Sequence, residues 1–544
     1  MDKENHSTEI EITDLVYVKN NVAIEPLINK WYAWAHLLSP ATAALNVKHR
    51  HLTIMDSYIK FPKSHMLAVK RPEMLGGPFI DYDRERVEEI KELRDQTLKI
   101  CAELLEFSES IHELNEILIQ NAKGCTLKDF YLKVPGKLRG LVELYYDLNN
   151  NPSFRFFETL LYETKYYNDS LQSINLLSIN NDDSRSFLLS TPRLPESEVL
   201  NKSFKFNDSR IDVLFGSWKR PIQYGILKKI FEIKDNEDSI FKSFFTKTPP
   251  EKYKKYSGNG ILTRYFGHAC ILIETKDVSI LIDPVISYGY ESDISRYTYS
   301  DLPDKIDIVC ITHNHQDHVL IETLLRIRHK ISQIIVPRNN GGELQDPSLK
   351  LVFDKLGFKN VLEISEMETI NFNSCSITGI PFLGEHADLN VRSKICPLVN
   401  FKQKFKILFA ADSCNHEPRL YERIHKNLGN IDVIFLGMEC DGAPLSWLYG
   451  PLMLKKMERE KDQSRRLAGC NFDEAKALID IFSPKNVFVY AMGMEPWLRY
   501  ISSIKYTSES RPIIESDKLI KYCNSNKIFG ERLFGEKILE YPIH

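Results

Sequence analysis

Thr312-His313-Asn314-His315-Gln316-Asp317-His318 decides how this chain is read. Three histidines and one aspartate fall within six residues. The run before them, Ile306-Asp307-Ile308-Val309-Cys310-Ile311, is short, apolar and rich in β-branched residues, the pattern of a buried strand. The cluster therefore stands where a strand ends and a loop begins, the usual place for function in α/β sheets. In an extended turn His313 and His315 point to the same side. Asp317 and His318 then turn toward a second point nearby. Imidazole and carboxylate together suit Zn, Fe or Mn. A polar, histidine-rich surface loop is the bland alternative, and the spacing and strand context favour metal binding.

One short cluster cannot complete a two-metal site, so further ligands are expected at later strand ends. Glu385 and His386 follow Pro381-Phe382-Leu383-Gly384, Asp412 follows Ile407-Leu408-Phe409-Ala410-Ala411, and Glu439 follows the run from Val433 to Gly437. A carboxylate at the end of an apolar strand is costly unless it is paired or metal-bound. Asp412 can bridge two cations with its two oxygens. A satisfied cap or turn is its other reading.

The chain has 544 residues, enough for two or three domains. Hydrophobic residues make up 43% and charged residues 27%, the balance of a soluble globular protein. Net charge is −3, which gives no basic footprint for nucleic acid. No apolar run approaches the roughly 18 residues a membrane span needs. The first thirty residues lack a basic start followed by an apolar core, so no signal peptide is expected. Ten cysteines are scattered without a C-x-x-C pair, which fits free thiols in a reducing cytoplasm.

The first eighty or so residues are aromatic-rich and irregular, with Trp31, Tyr32 and Trp34 close together. From Asp83 to Gln120 the pattern changes. Ile90, Leu93, Thr97, Ile100, Leu104, Phe107, Ile111, Leu114 and Leu118 recur at steps of three and four, which predicts one long helix. Its stripe suits either a core helix or a self-association helix. Residues 126–170 read as further helices around Pro135-Gly136, Asn180 to Arg185 as a polar loop, and Phe187 to Leu189 as a strand. Pro249, Pro250 and several lysines between Lys247 and Lys255 place a domain boundary there. Residues 1–250 then form a mixed α+β domain, and 251–544 the catalytic domain. After the boundary, β-rich runs appear at Ile261–Phe266, Cys270–Glu274, Ser279–Ile282, Ile306–Ile311, Ile334–Val336, Val361–Ile364, Ser376–Ile380, Lys406–Phe409, Val433–Leu436 and Val487–Tyr490. Helical stretches such as Ile321–Lys330 and Phe472–Ile481 separate some of them. This predicts an α/β sandwich of two sheets with outer helices, an αββα arrangement.

At this point the chain resembles the metallo-β-lactamase superfamily, whose hallmark is H-x-H-x-D-H after a buried strand, then a further His or acidic ligand, then a bridging Asp. Gly267-His268-Ala269-Cys270 and Ile280-Leu281-Ile282-Asp283-Pro284 are similar to its opening strands, where Asp283 would support the ligands from behind. The resemblance covers about residues 258–500. Zinc hydrolases of that superfamily generally end the site with a late histidine. Here His416 and His425 follow Asp412 too soon, and His544 is the last residue, so Glu439 is left at the expected strand end. A site of His313, His315, Asp317, His318, Glu385, Asp412 and Glu439 would hold four carboxylates and three imidazoles, a hard shell that suits iron or manganese.

Gly384-Glu385-His386-Ala387-Asp388, the segment from Gly437 to Pro451, and Tyr490-Ala491-Met492-Gly493-Met494-Glu495-Pro496-Trp497 resemble a narrower group. These are the di-iron monooxygenases of nonribosomal peptide synthesis, which include the aminoacyl β-hydroxylase of the chloramphenicol pathway. In that group a glutamate replaces the fourth histidine, and the resemblance maps it to Glu385. The resemblance implies two Fe ions, O₂ as cosubstrate and an external electron donor. It implies hydroxylation at the β-carbon of an amino acid held as a thioester on a peptide-synthetase carrier domain, with Glu385 and Glu439 able to change how they bind metal. Partners would be that carrier domain, an electron-transfer protein and, from the helix stripe, a second copy in a homodimer. Trp447 and Tyr449 read as core or interface aromatics rather than channel lining. Two rival readings remain open. One is a zinc or manganese hydrolase of the same fold acting on an ester, lactone or phosphodiester. The other is a docking protein whose site has become structural.

Overall fold

A computed structural model describes residues 14–71, 74, 76–402, 404–455 and 457–542, so His544 lies outside the described residues. Each β-branched run read as a strand after residue 260 forms one. They assemble into two seven-stranded sheets. The first runs, edge to edge, through Val361–Ile364, Ile331–Pro337, Ile306–Cys310, Ser279–Ile282, Ile271–Glu274, Ile261–Tyr265 and Lys537–Tyr541. The second runs through Thr369–Asn371, Cys375–Ile380, Cys396–Phe401, Phe405–Phe409, Val433–Gly437, Asn486–Tyr490 and Phe529–Arg532. Their facing sides share one core, in which Ile271, Ile280, Ile308 and Ile335 meet Val399, Ile407, Phe435 and Phe488.

In each sheet four neighbouring strands pair in parallel. Ile282 aligns with Cys310 and Cys310 with Ile335 in one, Phe409 with Phe435 and Gly437 with Tyr490 in the other. Parallel register sets the C-terminal ends of neighbouring strands side by side. The residues just beyond them, Asp283, Thr312, Asp412 and Glu439, therefore gather at one edge of the sandwich.

The outer layers differ. Helices Pro418–Leu428, Phe472–Phe482 and Arg511–Ser525 cover the second sheet through Tyr421, Ile424, Leu478, Ile479 and Leu519. The first sheet is covered by helix Ile321–Ile327 and then by the N-terminal half. That helix is buried on all seven residues, so it is an inner layer. Val18, Ile24, Phe206, Phe231 and Phe241 pack in one cluster with Leu272, Leu281, Val309, Leu324 and Leu325. The buried carboxylate at the centre of this seam is paired. Glu322, fully buried, meets Arg185 at 2.8 Å, accepts a hydrogen bond from Tyr32 at 2.6 Å and takes another from Tyr288.

The N-terminal half mixes helices with a four-stranded sheet ordered Trp31–Tyr32, Val22–Ile28, Gln172–Ser178 and Leu200–Lys202. Three expectations need correction. The long helix is two, Val87–Ile100 and Ala102–Asn121, joined through Cys101 at φ −100 and ψ 13. Cys101 takes the inward position at 2% exposure and Ile100 turns outward at 50%. Residues 126–170 hold a hairpin, Val142–Tyr146 with Pro152–Phe156, and only short helical turns. Phe187 to Leu189 form a turn, not a strand, and contribute apolar side chains to a core. Apart from Ile100, the stripe from Ile90 to Leu118 is buried within this chain, so it gives no ground for a homodimer.

Candidate metal centre

Strand Ile306–Cys310 delivers the histidine loop, and its neighbour Ser279–Ile282 delivers the clamp that holds it. Asp283 sits at φ 39, a left-handed conformation that turns its carboxylate across the strand end. It accepts the Thr312 amide at 2.8 Å and the Thr312 hydroxyl at 2.6 Å, and lies 2.8 Å from Nδ1 of His318. Thr312 Oγ1, having given its proton to Asp283, can only accept from Nδ1 of His313 at 2.9 Å. Both imidazoles thus carry their proton on Nδ1 and present Nε2 to the site, the arrangement that prepares a histidine for a cation.

Two donor groups result. His313, His315 and Glu385 have ligand atoms within 4.8 Å of one another, and so do His313, His318 and Asp412. Nδ1 of His315 is 2.6 Å from Oε1 of Glu385. Oδ2 of Asp412 is 3.0 Å from Nε2 of His318 and 3.7 Å from Nε2 of His313, which sets Asp412 between the two groups. Asp317 and His318 meet again in a further group with His268. Glu439 lies outside these groups and lines the cavity in front of them, with Asp317, Glu385 and Asp412.

The residues fit a pair of metal ions. Nε2 of His313, Oε2 of Glu385 and Oδ1 of Asp412 are buried without a hydrogen-bond partner, a costly state that a cation would relieve. Burial pushes the Asp412 carboxyl above its usual range. Burial, with Asp412 and Asp317 beside it, pushes Glu439 well above. At Glu385 burial works the same way, but His315 and His386 outweigh it and hold the carboxyl well below. At His315 burial opposes the charge, and Glu385 overcomes it and raises the imidazole. Four carboxylates and three imidazoles around one space call for positive charge, and the oxygen-rich set suits iron better than zinc.

His386 stands behind Glu385. Its ring stacks on His315 at 4.5 Å, its Nδ1 lies 2.8 Å from Oε2 of Glu385, and burial lowers its imidazole to about 4. It joins none of the donor groups among the described residues. Glu385 itself is left-handed, at φ 64, after Gly384 at φ 76, a turn that aims its side chain back into the site.

Two residues were not assigned from sequence. His268 has φ 50, and its Nδ1 accepts the Gly493 amide at 3.1 Å. Its proton therefore sits on Nε2, 3.3 Å from Oδ2 of Asp317, so it offers a proton to that carboxylate rather than a lone pair to a metal. The histidine was visible in Gly267-His268-Ala269, but its role depends on a backbone amide 225 residues away. Tyr449, read as a core aromatic, is buried and also meets Nε2 of His315 at 3.1 Å through its hydroxyl. Trp447, read the same way, lines the cavity.

That cavity has a volume of about 120 Å³ and opens to solvent. Its polar floor is His315, Asp317, Glu385, Asp412 and Glu439. Its apolar walls include Trp447, Leu448, Leu467, Ile501 and Ile504, and Phe187 and Leu189 from the N-terminal half. A few polar groups under apolar walls suit a small organic substrate.

Comparison with known proteins agrees with this geometry. Residues 17–249 match the family described as the N-terminal domain of di-iron non-heme β-hydroxylases, and residues 263–440 match a β-lactamase superfamily domain. The chain is 36% identical, over 96% of its length and 99% of the relative's, to the 4-amino-L-phenylalanyl-[CmlP-peptidyl-carrier-protein] 3-hydroxylase of Streptomyces venezuelae. The crystal structure of CmlA, a di-iron β-hydroxylase from Streptomyces venezuelae, superposes with a TM-score of 0.89 at 36% identity, covering 97% of this chain and 99% of that one. A structure of a CmlA β-hydroxylase mutant gives 0.87 at 35% identity, covering 97% and 100%. These matches exclude the hydrolase and docking-protein readings: with two domains of this kind and relatives matched along nearly its whole length, the chain belongs to the di-iron β-hydroxylases.

Proposed function

We propose that this enzyme hydroxylates the β-carbon of an aminoacyl group, with an aromatic or large apolar side chain, carried as a thioester on a carrier protein. The ring of acidic and imidazole side chains facing a two-sided cavity carries this reading. His313, His315, Asp317, His318, Glu385 and Asp412 would hold two iron ions, with Glu439 at their open side. Bound there and reduced by an external donor protein, the iron supplies the oxygen chemistry. The chain's own residues do the rest. Asp283 and Thr312 fix the imidazoles of His313 and His318. His268 and Tyr449 orient Asp317 and His315. Oε2 of Glu385, which meets Nδ1 of His386 at 2.8 Å, faces the side from which it could join or leave a metal ion.

The apolar walls would receive the side chain and exclude water, and the mouth would admit the carrier's thioester arm. Residues 1–250 are read as the carrier-docking region and 251–544 as the catalytic region, supported by the wall residues Phe187 and Leu189. All ten cysteines are free, which fits work in the reducing cytoplasm. Mass spectrometry of aromatic aminoacyl-carrier protein, incubated with reduced enzyme and O₂, tests this. Gain of one oxygen atom on the carrier-bound residue is expected. Hydrolysis of the thioester without oxygen transfer would overturn it.

A further inference from the structure

Beside the carboxylate-rich centre lies a second cluster of quite different chemistry. Asp412 is followed by Ser413-Cys414-Asn415-His416, and Cys470-Asn471-Phe472-Asp473-Glu474 opens helix Phe472–Phe482. The fold brings these two short arms together. Ligand atoms of Cys414, Cys470 and Glu474 lie within 4.8 Å of one another. His416 stands at the edge of the group. Its Nδ1 is 2.8 Å from Oε1 of Glu474, and its ring also meets the Cys414 thiol. Nε2 points at the same spot as the Cys414 thiol: a Cβ built on Gly384 would lie 2.9 Å from Nε2 and 2.8 Å from Sγ. Gly384, at φ 76, keeps that spot open.

We propose that the thiolates of Cys414 and Cys470 and Nε2 of His416 bind one zinc ion, with Glu474 orienting the imidazole and water filling the fourth position. The chemistry selects the metal. Two thiolates and an imidazole are soft to borderline donors, suited to zinc, whereas the neighbouring centre has no sulfur. A carboxylate accepting the far N–H of a metal-bound histidine is the usual support for such a ligand. Two thiolates neutralise a divalent cation, which makes the buried end of the site inexpensive. On binding, two S–H bonds give way to two S–Zn bonds and two protons leave to solvent.

The plain alternative is that each group is already satisfied. Cys414 donates to the Ala468 carbonyl at 3.2 Å, Cys470 to the Ser413 carbonyl at 3.0 Å, and Glu474 accepts the Asn471 amide in a capping box. A capping box explains Glu474, yet it needs neither thiol nor His416. The zinc would pin the loop after Asp412 to the helix start and back the turn that carries Glu385.

The test uses the iron-loaded full-length protein, equilibrated with one equivalent of Zn²⁺ and desalted. One zinc per chain should be retained beside the iron, and should be released as a mercurial modifies the thiols, which the sulfur-free iron centre would not do. His416 is half exposed, so His416→Ala should fold, and with Cys414→Ser it should hold zinc at least about tenfold less tightly. A wild-type chain that retains no zinc would overturn the proposal. So would zinc that stays after thiol modification, or zinc held equally well by His416→Ala.

Discussion

Gly437 has no side chain because Asp412 stands where one would go. A Cβ there would lie 2.6 Å from Oδ1 of Asp412 and 2.8 Å from the Ala411 carbonyl. Gly437→Ala should therefore push the proposed bridging carboxylate aside. Iron retention should fall by about tenfold or more, a loss of the size expected when a metal ligand is mispositioned, and the melting temperature should fall as well, because the Ala411 carbonyl is backbone. Iron analysis and calorimetry on one sample separate the two effects. His313→Ala and Asp412→Ala should each abolish turnover and leave the far-ultraviolet circular dichroism unchanged; turnover at the wild-type rate would show the ligands to be misplaced. Glu385→Ala should lose more iron than His386→Ala, since Glu385 shares a donor group with His313 and His315 while His386 stands behind it. The reverse ranking in elemental analysis would move the ligand to His386. The clustering of such side chains was legible where their spacing is local, as from His313 to His318. His268 and Tyr449 were not, because what they do is decided by partners in distant parts of the chain.

Elements were legible in the sandwich because a strand buried on both faces is apolar throughout, as at Val433–Gly437, and little else looks like that. The N-terminal half was less so. Val142–Tyr146 and Pro152–Phe156 interleave polar and aromatic residues, and only their pairing with each other makes them strands. Helix Ile321–Ile327 was readable as a helix, but not its depth. Its depth gives two predictions. Glu322→Gln leaves Arg185 buried with only the longer 3.4 Å contact to Glu25, and should destabilise the fold by about 3 kcal/mol in denaturant unfolding. A loss within experimental error would mean the seam is wet. Just after the same helix, burial pushes the Lys330 ammonium down to about 7. The folded state then binds fewer protons than the unfolded one between that value and the ordinary lysine range, so this group penalises folding most below pH 7 and less as pH rises. Lys330→Met should raise the melting temperature more at pH 6 than at pH 9; an equal rise at both would show that the lysine stays charged in the folded protein.

On the scale of the whole molecule, the domain boundary read at Lys247–Lys255 divides the chain without dividing its core. Phe206, Phe231 and Phe241 pack in one cluster with Leu272, Leu281 and Val309 across it. Residues 251–544 expressed alone should therefore be insoluble or should bind hydrophobic dyes, because one face of the first sheet would lie bare; a soluble, cooperatively folding fragment would refute this. The same joining decides the substrate question. Free aromatic amino acid should turn over far more slowly than its carrier-bound thioester, read as oxygen-dependent product per enzyme, and comparable rates would refute docking. Phe187 and Leu189 enter the cavity from a turn that carries no candidate ligand. One part of the cavity wall is thus coded apart from the candidate metal ligands. Mutations there can retune which amino acid is accepted while the metal chemistry stays untouched, so new specificities in such enzymes have a route that does not pass through an inactive intermediate.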